Sequence, residues 1–379
     1  MRNIIPGEEL LHKVSSIGQY YGFIPFVTLT AKARGNTHTK KPEQEIPIFE
    51  NDSTADTVAR FLRQFQNIDY APNSRQPLFI WHTNISPGRP VQKKTILQFH
   101  VLGTDRAIAD VVIIRALLAL SRDLFHGESS VRINSMGDKE TRARYARELG
   151  VFFRKRINIL PEECLEYAKR DVFLGAEYAI AHGHAEDMPA PTEHLSDASR
   201  KRFEDLLEYL EITETPYELE RHLINRGNAW HDICFEIVVD GQRVAWGSHY
   251  GDMARHFFPG APFSATGAVL QIASEGPVVK KIAPMRLRFS FVHIGDEAKR
   301  LSIRLTEDFR KARIPLMQHI GVESLTEQLN LAERQNSPYL LIMGRKEALE
   351  HSAILRNCAT QEETILSLDG IIDSLKSFA

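Results

Sequence analysis

The chain has 379 residues, too many for one ordinary core, and this length calls for two or three domains. An apolar share of 43% beside a charged share of 25% excludes intrinsic disorder, and a net charge of −2 excludes a uniformly basic nucleic-acid coat while leaving room for a local basic face. No apolar run approaches the roughly 20 residues of a membrane helix, and the opening "MRNIIPGEELLHKV" has no signal-like apolar block, so a cytoplasmic protein without a membrane partner is expected.

In chain order, Leu10, Leu11, Val14 and Ile17 have helical spacing, and "YYGFIPFVTL" then reads as an extended segment. Residues 34–47 are polar and turn-rich, an exposed loop. "TADTVARFLRQF" at 54–65 predicts an amphipathic helix, "PLFIWHT" at 77–83 a strand, and "SPGRPVQKK" at 86–94 a hairpin or mobile loop. The strongly apolar run at 108–125 predicts a core helix. From 138 to about 215 the pattern is helical and charged, broken by the loop "HGHAEDMPAPTEH". Strands return at 232–245 around an Asp240-Gly241 turn. From about 284 strand and helix alternate, which predicts a compact α/β unit with a mostly parallel sheet. Cys164, Cys234 and Cys358 lie far apart with no Cys-x-x-Cys spacing, so structural zinc and a disulfide framework are not expected.

Three C-terminal segments carry a resemblance: the basic helix up to Ile314 and Pro315, "SLTEQLNLAERQNSPYLLIMG" and "EALEHSAILRNC". They resemble the anticodon-binding domain of the histidyl, glycyl, threonyl and prolyl class II aminoacyl-tRNA synthetases. Upstream, "VRINSMGDKETRARYARELG" and "PTEHLSDASRKRFEDLLEYLEI…LINRG" are similar to segments of histidyl-tRNA synthetases in the same order, so the likeness spans nearly the whole chain. It implies an α+β fold: a class II synthetase-like antiparallel sheet core at 1–283 with a helical insertion at about 138–220, then an anticodon-binding-like α/β domain at 284–379.

The resemblance also shows where this chain departs from the family. The family's Arg-Gly-Leu-Asp-Tyr-Tyr loop, whose arginine helps hold the α-phosphate of ATP, survives as Arg226 and Gly227. Asn228, Ala229, Trp230 and His231 replace the rest. Gly-Gly-Arg-Tyr-Asp becomes "GSHYG": Gly247 and Tyr250 match, His249 stands for the arginine and Gly251 for the aspartate. The proline that ends motif 1 is replaced by Leu29. The Arg-x-Glu of motif 2 has no counterpart, Arg89 lying elsewhere, and Ala273 and Ser274 occupy the Glu-Arg positions of motif 3. Gln98 alone is left of the histidine-reading Gln-x-x-x-Glu. In the Leu-Arg-Pro-Glu-x-Thr element Glu50 stands for the arginine and Asp52 for the glutamate, with Thr54 retained.

Adenylate formation moves negative charge within a triphosphate, so its site must aim preorganised cations at the phosphates. Arginine suits this because its planar fork stays charged and binds phosphate oxygens bidentately. Losing one such donor costs roughly 3–4 kcal/mol, and the alignment removes two of the family's three. Arg226 is therefore the one catalytic candidate. Asp52, Thr54, Gln98, Gly227, Trp230, His231, His249 and Tyr250 are the ligand-binding candidates. Trp230, Trp246 and Tyr250 are also suited to simple core packing.

No metal site is expected, since His182, His184, Glu186 and Asp187 lack further spaced ligands and read as a solvated loop. Lys299, Arg300, Arg304, Arg310, Lys311 and Arg313 share one helix, with Glu307 and Asp308 as pairing partners. Arg300, Arg304 and Lys311 are the RNA-binding candidates. Arg142, Arg144 and Arg147 form a second charged face.

The resemblance and its departures imply a catalytically inactive paralogue with a regulatory or RNA- or ligand-binding role, no required cofactor, and a homodimer that engages tRNA, another RNA or a protein partner. The alternatives are a divergent active histidine–tRNA ligase needing ATP and Mg, and a regulatory subunit of ATP phosphoribosyltransferase.

Overall fold

The computed structural model describes residues 6–33, 53–68, 72, 77–85, 94–125, 127–224, 230–273, 287–314 and 316–378. An eight-stranded sheet has the order β1-β2-β3-β8-β7-β6-β4-β5. Its strands are β1 (Ile24–Pro25), β2 (Leu78–Ile85), β3 (Lys94–Leu102), β4 (Ser129–Ser135), β5 (Glu218–Leu219), β6 (His231–Val239), β7 (Gln242–His249) and β8 (Ala265–Ala273). The long central strands pair antiparallel. The β6–β7 turn works because Asp240 and Gly241 both adopt positive φ, 49° and 75°, the twist a two-residue hairpin needs.

Side-chain alternation gives the sheet two buried faces. Leu97, Phe99 and Val101 share a core with α4 (Ile108–Leu124), the long apolar helix, and with α1 (Gly7–Tyr20). On the opposite face Ile80, Ile96, Leu102 and Val269 pack under α3 (Ser53–Phe65) and α9 (Gly251–Phe257). The segment read as extended at 20–29 is a helix end, the short β1, and then α2 (Phe26–Ala33). Its β-branched and aromatic run suits a strand, but Phe26 packs edge-on against Phe61 at 5.4 Å and lies 6.5 Å from Phe65, and that tertiary contact outweighs local propensity.

Between β4 and β6 lies a helical layer of α5 (Lys139–Lys155), α6 (Glu162–Arg170), α7 (Val172–Ala181) and α8 (Asp197–Ile212). Each of α5, α7 and α8 starts on a capping side chain, Asp138, Asp171 and Ser196 respectively. Tyr145, Phe153, Cys164, Phe173 and Met188 form a core of their own here.

The C-terminal sheet has the order β10-β9-β11-β12-β13. Its strands β9 (Phe289–His293), β10 (Leu316–Gln318) and β11 (Tyr339–Met343) are parallel, whereas β12 (Ser352–Asn357) and β13 (Glu363–Ser367) join antiparallel. The expected mostly parallel sheet is thus half antiparallel, because a five-residue link between β12 and β13 leaves no room for a crossover helix. Four helices accompany these strands: α10 (Asp296–Lys311), α11 (Leu325–Arg334), α12 (Arg345–Leu349) and α13 (Ile371–Lys376). Helix α10 docks on α1 and α8 of the first sheet's layer.

Candidate ligand-binding site

Strand β6 begins with a bulge between His231 and Cys234. Asp232 there has φ 61°, a costly conformation for a residue with a side chain. Two backbone bonds hold it: Asp232 N–H donates to Gly137 O at 2.8 Å, and Met136 N–H donates to Asp232 O at 2.8 Å. They tie the start of β6 to the entrance of the helical layer. The Asp232 carboxylate lies 2.9 Å from Arg202 Nε through Oδ2, while its buried Oδ1 has no hydrogen-bond partner among the described residues. Burial raises its pKa against the nearby His249 and Arg202.

Beside this bulge opens a cavity of about 600 Å³, within the range of small-molecule sites. Trp230 and His231 line it from the sheet, Lys139 and Arg142 from α5, and Asp252 and Arg255 from α9. Asp252 pairs with Arg255 at 2.8 Å and lies 3.5 Å from Lys139. Arg142 stacks its guanidinium 4.1 Å above the Phe173 ring, and its buried Nη1 has no partner among the described residues. Asp138 also lines the cavity, where it accepts from Thr141 N–H and the Ser196 hydroxyl, so three cations face two aspartates that are both engaged, and the remaining positive charge suits an anionic ligand.

The two histidines beneath are shifted in opposite directions. Burial, and the charge of His249, push the His231 pKa down to about 4, so that ring is neutral at pH 7. His249 goes the other way: burial opposes its charged form, but the charge and hydrogen bond of Asp110 outweigh that and raise its pKa. Asp110 projects from the first turn of α4, accepting 3.0 Å from His249 Nε2 and 2.9 Å from Thr266 Oγ1.

Tyr250 connects this site to the centre of the sheet. Its ring is edge-on to Trp230 at 6.2 Å, and Trp230 meets Trp246 at 4.6 Å. The Tyr250 hydroxyl is 2.7 Å from His100 Nδ1, and His100 Nε2 is 3.2 Å from Gln98 Oε1. Burial holds the His100 pKa well below its ordinary value. A neutral ring can then accept from the tyrosine and donate to the glutamine at once. Phe61 of α3 stacks on His100 at 3.8 Å and 5°. A Cβ at Gly267 would come within 2.6 Å of His100 Nδ1, so only glycine fits this strand position.

The residues singled out from the sequence are thus distributed unevenly. Trp230, His231, His249 and Tyr250 converge, and Gln98 joins them through His100. Thr54 is half-buried in the first turn of α3. Arg226, Gly227, Asp52, Glu50 and Arg89 lie outside the described residues. Arg300, Arg304 and Lys311 sit far off on α10. Arg300 pairs with Glu208 at 2.7 Å and Arg304 with Glu214 at 2.8 Å, both carboxylates of the core rather than of their own helix. His182 stacks on Tyr178 at 4.0 Å and Asp187 pairs with Arg156, and among the described residues no group of three His, Cys or acidic side chains could hold a metal ion. Sequence reading missed the convergence of Lys139, Arg142 and Arg255, since no local spacing links α5 to α9.

Residues 288–378 match the anticodon binding domain family. A central antiparallel sheet backed by a long apolar helix, followed by that domain, is a class II synthetase-like fold. The chain is 25% identical over 362 residues to the histidine–tRNA ligase of Geobacillus sp. (strain WCH70), covering 90% of this chain and 82% of the relative. It is 24% identical over 354 residues to that of Clostridioides difficile (strain 630), covering 89% and 83%. The crystal structure of apo S. aureus histidyl-tRNA synthetase shares the fold with a TM-score of 0.50 at 17% identity, over 99% of this chain and 98% of that one. Over nearly its whole length the chain is thus histidyl-tRNA synthetase-like in sequence.

Proposed function

We propose that this chain is a catalytically inactive member of the histidyl-tRNA synthetase-like family, a regulatory protein whose core cavity binds a small anionic ligand and whose C-terminal domain engages RNA. No cofactor is required, and the protein acts as a homodimer. One observation carries the reading. On the sheet face under α3, the Tyr250 hydroxyl, both ring nitrogens of His100 and Gln98 Oε1 are taken up in one hydrogen-bonded chain that Phe61 covers, leaving only Gln98 Nε2 open among them. A site that reads a substrate keeps its polar atoms open for it, because discrimination comes from leaving them unpaired with the wrong ligand. The replaced motif residues point the same way: two phosphate donors lost amount to roughly four to six decades in rate.

The test is ATP–pyrophosphate exchange with histidine and Mg, run beside aminoacylation of tRNA. Exchange at the no-enzyme background is the expected result, and turnover within a decade or two of an active ligase refutes the reading. A divergent histidine–tRNA ligase is the second reading, favoured by the meeting of Lys139, Arg142 and Arg255 beside Trp230. Under it ATP and Mg are needed, and Arg226→Ala and Arg142→Ala each abolish the exchange.

A further inference from the structure

A second cleft, independent of the first, lies where the two sheets' layers meet. It has a volume of about 230 Å³ and is lined by Arg115 and Arg122 of α4, Thr213 and Thr215 after α8, and Arg304 and Lys311 of α10. Three carboxylates also reach it, Glu214, Glu307 and Asp308. Two of them are occupied. Glu214 takes Arg304 at 2.8 Å, and Glu307 takes Arg310 at 2.7 Å together with the Tyr21 hydroxyl at 3.2 Å. Arg115, Arg122 and Lys311 make no ion pair among the described residues, so three cations face one remaining acid, Asp308.

Arg115 is the unusual member. It is only 8% exposed, yet its partners are neutral: Nη1 donates to Thr213 O at 2.5 Å and to Thr215 Oγ1 at 3.0 Å. Its Nε is buried with no partner among the described residues. A buried guanidinium without an ion-pair partner carries a desolvation penalty that two hydrogen bonds to neutral oxygens offset only in part. An oxyanion would supply both the missing charge and the missing acceptor, in the fork geometry guanidinium groups prefer. The volume falls below the roughly 300–1,000 Å³ of sites for drug-sized ligands. That size excludes a whole nucleotide and admits a phosphate or pyrophosphate group.

We propose that this cleft is a phosphate-binding site whose occupant, a free small phosphate anion, ties α4 of the core to α10 of the C-terminal domain. Binding to the folded state alone raises its stability with ligand concentration. The experiment is thermal unfolding of the full chain titrated with inorganic phosphate at ionic strength held constant with chloride. It is repeated on the Arg122→Gln/Lys311→Gln double variant, whose two positions are exposed and outside the core. A saturable rise in Tm is expected for the natural chain, with half-saturation moved at least tenfold higher in the double variant. An equal response in the two proteins, or one that chloride reproduces, overturns the proposal. Added tRNA-length RNA separates the two sources of phosphate. A response that persists supports a free anion, and one that RNA abolishes assigns the cleft to a backbone phosphate and overturns the free-anion occupant.

Discussion

His293 ends β9 with 1% exposure, and neither ring nitrogen has a hydrogen-bond partner among the described residues. Its backbone is well held, since Gln328 accepts from its N–H at 3.0 Å and donates to its carbonyl at 2.8 Å. Burial, then the charge of Lys299, push its pKa down to about 3. The folded ring therefore stays neutral while the unfolded ring takes up a proton below about pH 6.5. Protons bound only by the unfolded state remove stability as pH falls, so this residue destabilises the protein between about pH 6.5 and 3. At pH 5 the loss is about 2 kcal/mol, from 1.5 units at about 1.4 kcal/mol each. His293→Leu keeps a similar volume and removes both the unpartnered nitrogens and the titration. Urea unfolding should place the variant within about 1 kcal/mol of the natural chain at pH 7.5. At pH 5 the difference should move about 2 kcal/mol in the variant's favour. An unchanged difference between the two pH values refutes the reasoning, because it would mean the ring is protonated alike in both states.

Two further perturbations probe the sheet's buried polar groups. Asp110→Asn removes the charge that holds protonated His249 and should cost about 3–5 kcal/mol in urea unfolding. The raised His249 pKa makes its contribution fully present below about pH 6.5 and lost as pH rises through the folded value, so the cost should shrink in alkali. Phe61→Ala should cost about 3–5 kcal/mol by the cavity it leaves. Opening the His100 face to water should also bring that ring's titration, followed by NMR, back toward the ordinary histidine range.

The architecture was legible where sequence pattern and tertiary contact agree. The apolar run at 108–125 read as a core helix and Asp240-Gly241 as a hairpin turn, and both form. Reading failed where contacts distant in the chain decide the outcome. The segment 20–29 has strand-like residues, but its second half opens a helix, where Phe26 packs on Phe61. The basic stripe on α10 looked self-paired through Glu307 and Asp308, and Arg310 does pair with Glu307. Arg300 and Arg304 instead reach across to Glu208 and Glu214, which no one-helix pattern foretells. The site was half visible: the sequence pointed to Trp230, His231, His249 and Tyr250, whereas Arg142 and Arg255 come from helices more than a hundred residues apart.

The polar atoms left open around the cavity indicate what kind of ligand it can take. Gln98 Nε2 and Arg142 Nη1 are buried donors without partners among the described residues, and Asp232 Oδ1 is a buried acceptor in the same condition. Each carries a desolvation penalty of order 1–3 kcal/mol, more for the charged groups, unless a ligand or water answers it. A purely structural packing would not retain Arg142 in the cavity wall and Asp232 next to the lining residue His231 in this state, since apolar replacements of similar shape would be neutral or better. A small ligand bearing a negative group for Arg142 and a donor for Asp232 would satisfy the charged pair. Gln98 stands apart, reached only through Tyr250 and His100, and those two already bind each other. The open groups thus favour recognition at the bulge.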